Sequence, residues 1–142
     1  MYHSITFGDK NTWTDWHIVA SERPVFSPPS PKFEFIEIPG RASPIDMTET
    51  LTGKPTYSQR TGSFDFYVVN GYNRWNELYQ TILNHLHGKK LRAILEDEPE
   101  YYYEGRFSVN SWKSQKDWSR ITISYTVDPY KYPVSGYGDP IL

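Results

Sequence analysis

The chain has 142 residues, a formal charge of −2 and no cysteine. That length supports one core, the charge gives no global attraction to phosphate backbones or anionic membranes, and the lack of thiols excludes disulfides, thiolate catalysis and cysteine-ligated zinc. Twelve Tyr, seven Phe and five Trp exceed what a core of this size easily buries, so some rings are expected to face partners.

Met1 to Phe7 lacks the basic and apolar regions of a signal peptide, and no apolar run approaches the ~20 residues that span a bilayer. Ile5 and Phe7 open a first strand, a loop follows around Gly8 to Asn11, and a second extended piece lies near His17 to Ala20, with Trp13 and Trp16 beside the turn. Prolines at 24, 28, 29 and 31 remove backbone donors and mark a semi-rigid connector. Phe33, Phe35, Ile36 and Ile38 then read as a strand ended by Pro39 and Gly40. Arg41 to Gly62 is rich in Thr and Ser, with Ile45, Met47, Leu51 and Tyr57 as its apolar anchors. A connection this long reads either as an arm or hairpin reaching out of the domain or as a disordered segment.

Phe64, Phe66 and Val68 alternate with Asp65 and Tyr67, the period of a half-buried strand. Trp75, Leu78, Tyr79, Ile82, Leu83 and Leu86 recur at helical spacing, with Asn73 as N-cap and Gly88 as the left-handed stop, which sets a helix over about 74–87. Leu91 to Glu96 gives another strand, and Tyr101, Tyr103, Phe107 and Val109 form one face of a long one, in which Gly105 permits a bulge or a close approach. Ile121, Ile123, Tyr125 and Val127 supply the last strand, and the Pro- and Gly-containing tail after Pro129 reads as extended.

Few residues point to chemistry. Glu96, Asp97, Glu98, Glu100 and Glu104 beside three tyrosines fit paired-carboxylate sugar cleavage in composition, but four of them lie at a turn where solvated charge is ordinary. His85 and His87 are two apart on a helix and cannot clasp one metal. No phosphate loop, nucleophile elbow or zinc-protease motif occurs. No catalytic, cofactor or metal residue is therefore assigned and no enzymatic activity is expected; the exposed aromatic candidates are Trp13, Trp16, Tyr101, Tyr102 and Tyr103. An assembly surface is the leading reading of those rings, and a non-catalytic carbohydrate-binding module is the alternative.

The segments NGYNRWNELYQTILNHLHGKKLRAILEDEPEYYYEGRFSVNSWKS (70–114) and ITISYTVDPYKY (121–132) resemble the distal tail proteins of long non-contractile-tailed phages and prophages, and SITFGDKNTWTDWHI (4–18) and SFDFYV (63–68) are similar too. The resemblance covers essentially the whole chain. It implies a mainly β fold, a β-sandwich or split barrel of tail-tube type, with one flanking helix at about 74–87 and the arm at about 41–62. It further implies a homo-oligomer, a hexameric ring at the virion tail tip that joins the tail tube protein to the tail-tip hub, passes DNA through its lumen without specific binding, and in some phages carries receptor-binding proteins. Synthesis would be in the bacterial host cytoplasm, with no membrane partner. In this reading Ile45, Met47, Leu51 and Tyr57 belong to an inter-subunit arm, residues 1–132 form the ring domain, and 133–142 form an extended tail without the galectin-like second domain of larger members.

Overall fold

The computed structural model describes residues 3–50, 53–68, 75–114 and 119–142. Among these residues twelve strands and one helix follow in the order β1 (Ile5–Phe7), β2 (Lys10–Asn11), β3 (Ile18–Ala20), β4 (Pro31–Lys32), β5 (Phe35–Ile36), β6 (Ile45–Asp46), β7 (Thr56–Tyr57), β8 (Arg60–Val68), α1 (Trp75–Leu86), β9 (Lys89–Leu95), β10 (Glu98–Ser114), β11 (Ser119–Val127) and β12 (Tyr132–Pro133). One curled antiparallel sheet carries the order β2-β1-β9-β10-β11-β8-β3, with β12 added to β10. β4 pairs with β7, and β5 with β6, apart from that sheet.

Strand alternation decides which face is buried. Phe64, Phe66 and Val68 point inward while Thr61, Ser63 and Tyr67 are exposed. In register beside them, Ile121 opposes Phe66, Ile123 opposes Phe64 and Tyr125 opposes Gly62. Phe107 faces Tyr125 across the next strand pair, and Ala93, Leu95, Ile5 and Phe7 continue the same buried layer. The expected bulge at Gly105 is absent: β10 stays in register there and slips between Val109 and Ser111 instead. That extra residue returns Trp112 to the inner side, where its ring lies 5.3 Å from Tyr79 of α1. At Gly105 the other expectation holds, since a Cβ would collide with the Thr126 carbonyl and Val127.

The helix closes the inner face, as its period requires. Leu78, Ile82 and Leu86 are buried, Gly88 stops the helix at φ 75°, and the Gly88 N–H donates to the Phe107 carbonyl at 2.7 Å. Its N-cap candidate Asn73, together with Arg74, lies outside the described residues.

Two of the aromatic candidates belong to this core. Trp16 is 2% exposed and stacks on Phe7 at 6.3 Å, and Tyr103 is 5% exposed and stacks on Phe26 at 4.1 Å. Both therefore leave the list of exposed rings. The reason for Trp16 is that residues 12–17 turn back over β1, with the Ile18 N–H donating to the Thr12 carbonyl, and carry its indole inward. For Tyr103 the reason is strand parity: it shares the inner side of β10 with Phe107.

Candidate functional site: the projecting arm

The arm exists, with bounds that differ from the expected 41–62. Arg60 already begins β8, so residues 60–62 belong to the main sheet, and the outgoing limb starts at β4. The apolar segment at 33–38 is thus not a strand of the body but half of the arm. Proline explains the separation, because limbs containing Pro31, Pro44 and Pro55, led in by Pro28 and Pro29, cannot supply the donors of a central strand.

Two short ladders hold the limbs together. Pro31 opposes Tyr57 and Lys32 opposes Thr56, and the Ser58 N–H donates to the Ser30 carbonyl at 2.8 Å. Farther out, Phe35 opposes Asp46 and Ile36 opposes Ile45. There the Asp46 carboxylate accepts the Thr48 hydroxyl and, at 3.0 Å, the Thr48 N–H. These bonds, the hydroxyl first, hold the Asp46 carboxyl below its ordinary range. Gly40, at φ 83°, makes the reversal at the tip.

What the arm presents is apolar. Phe33, Phe35, Ile36 and Ile38 are 66%, 55%, 47% and 41% exposed, interleaved with Glu34 and Glu37. Each such side chain gains roughly 1.5–3 kcal/mol when fully buried, so the strip has a strong tendency to be covered. Of the expected anchors, Ile45, Met47 and Tyr57 are half-buried, and Leu51 lies outside the described residues. The more exposed set at 33–38 was missed as an arm surface because its apolar content reads as an ordinary strand.

The tyrosine cluster is not an open stacking platform. Arg92 covers the Tyr102 ring at 4.6 Å, Lys131 covers Tyr101 at 5.2 Å, and Tyr102 stacks on Tyr132 at 5.6 Å. Burial raises the Tyr132 phenol, helped by Asp128. Trp13 is half-buried with its ring edge-on to His17 at 5.4 Å. The acids at the β9–β10 turn, and Glu104 farther along β10, are separately engaged rather than paired. Glu96 accepts the Ser4 N–H at 2.7 Å, Asp97 meets His3 at 2.9 Å, Glu98 meets Lys131, and Glu104 lies 3.5 Å from both Lys90 and Arg92. Among the described residues no group of three or more His, Cys, Asp or Glu is placed to hold a metal, and no helix is long and apolar enough to cross a membrane.

No family model and no curated protein matches the sequence. The fold does match a solved structure, the crystal structure of the Dit protein of phage SPP1, described as a paradigm of the hub adsorption apparatus in phages that infect Gram-positive bacteria. The TM-score is 0.69 at 18% identity, over 94% of this chain and 53% of that one. This chain therefore has the fold of a siphophage distal tail protein, and it spans about half the length of the SPP1 protein.

Proposed function

We propose that the protein is a structural subunit of a phage tail tip, without catalytic activity, whose arm reaches onto a second copy of the chain. Six copies close into a ring that joins the tail tube to the hub and lets DNA pass through its centre. The observation that carries this reading is the exposed strip of Phe33, Phe35, Ile36 and Ile38 on a hairpin held away from a body with the distal-tail fold. A two-limbed arm also brings unpaired edge groups that a neighbouring sheet can accept. Residues 1–132 would form the ring-building part, with 133–142 as the end of the tail that starts at Pro129.

The test is native mass over a concentration series, with negative-stain images of the largest species. A hexamer with a central channel is the expected result. Replacement of residues 33–55 by an Asn-Gly turn, which preserves the β4–β7 pairing, is expected to leave a folded monomer. An arm-less variant that still closes rings would remove the arm from the assembly.

A further inference from the structure

We propose that Arg60 is a positioning residue that sets the angle of the arm and couples it to the C-terminal tail through one joint. Arg60 stands where the returning limb enters β8 and is 6% exposed. A buried guanidinium is costly unless its donors are met, so its partners are held firmly. Its Nε donates to the Pro129 carbonyl at 3.0 Å, its Nη1 donates to the Ser27 carbonyl at 3.4 Å, and its carbon lies 5.3 Å from the centre of the Tyr103 ring. Ser27 belongs to the root of the outgoing limb and Pro129 to the start of the tail. A single side chain thus ties both limbs of the arm, the tail and the core together.

Neighbouring contacts point the same way. Phe26 anchors the outgoing limb in the core, with Tyr103, Phe64 and Tyr125 at 4.1, 5.1 and 4.7 Å. The Ser27 N–H donates to Tyr125 Oη at 2.7 Å, and the Ser27 hydroxyl donates to the Thr61 carbonyl at 2.6 Å. Gly62 keeps this seat open, because a Cβ there would collide with the Tyr125 phenol. On the tail side, Tyr130 meets Tyr57 of the returning limb edge-on at 6.1 Å, and Lys131 is fixed by Glu98 and by backbone bonds to Ile141. The tail therefore touches the returning limb through Tyr130 with Tyr57, and touches the base of the arm through Pro129 with Arg60 at the start of β8. By linkage, loosening the tail must loosen the arm, and an arm seated on a partner must in turn order the tail.

The consequence for assembly rests on the ring reading; the joint itself does not. Because the chain has no cysteine, spin labels can be placed at will: Ser43→Cys at the arm tip with Gln80→Cys on the helix reads the arm, and Lys10→Cys with Gln80→Cys reads the body. Pulsed dipolar spectroscopy on the dilute protein is expected to give a narrow arm distance in the native background. Arg60→Met, Arg60→Lys, which keeps charge but loses the fork, and Tyr130→Ala are each expected to broaden the arm distance by about twofold while the body distance stays fixed. The concentration needed for ring formation should rise by about tenfold. An arm distance of native width in these variants would overturn the proposal. Should the Arg60 variants also broaden the body distance, Tyr130→Ala alone decides by the same criterion. A wild-type chain that never forms rings would sink the ring reading and leave the joint to be judged by the arm distances.

Discussion

Gly105 and Tyr103 show how much single positions on β10 control. A methyl at Gly105 meets the backbone of β11 rather than a flexible side chain, so Gly105→Ala is expected to cost about 1–3 kcal/mol, seen as a lower urea midpoint. Tyr103 is held in its neutral form: burial first, then the Glu98 carboxylate, push its phenol up to about 12 from 10.0. Between those values the unfolded chain loses the proton that the folded chain keeps, so stability is full below pH 10 and falls as pH rises toward 12. The slope is at most about 1.4 kcal/mol per pH unit. Chemical denaturation across that window measures it, and Tyr103→Phe is expected to flatten the slope. The need for a small residue at 105 is legible in sequence, since a glycine inside an apolar strand signals close approach. The inward side of Tyr103 follows from its alternation with Phe107, but the covering of Tyr101 and Tyr102 is not legible, because Lys131 comes from the tail and Arg92 from β9.

Among the elements, the helix is the best specified locally. Its buried side chains Leu78, Ile82 and Leu86 are part of the stripe that the 3.6-residue period picks out, and Ile82→Ala is expected to cost about 2–5 kcal/mol in chemical denaturation. The arm is the opposite case. Phe33 to Ile38 satisfies every local criterion for a body strand, yet its partners are residues 45 and 46 of the returning limb. Strand propensity records fitness for a pleated surface and does not name the neighbour. A double substitution, Phe35→Asp with Ile36→Asp, separates the two roles. Folding stability of the body is expected to stay within about 0.5 kcal/mol, because neither side chain is part of the core, whereas ring formation measured by native mass is expected to be lost.

For the molecule as a whole, the core among the described residues contains no apolar side chain between Phe26 and Phe64. The body should therefore fold without the arm, and the variant lacking 33–55 is expected to keep its circular dichroism spectrum and a single cooperative unfolding transition. The sequence by itself determined the strand-rich composition, the single helix with its stop, the inward faces of β8 and β11, and the presence of a long segment outside the regular elements. These follow from periodicity and from the conformational limits of Pro and Gly, which act within a few residues. Only the tertiary structure decided that the limbs of the arm start at Pro31 and end at Tyr57, that Trp16 is core, that β10 slips against β11 between Val109 and Ser111, and that Arg60 ties Ser27 to Pro129. Each of those depends on contacts between residues far apart in the chain, and the physical cause is that burial and hydrogen-bond satisfaction are set by which distant strands pair, a choice that no local pattern encodes.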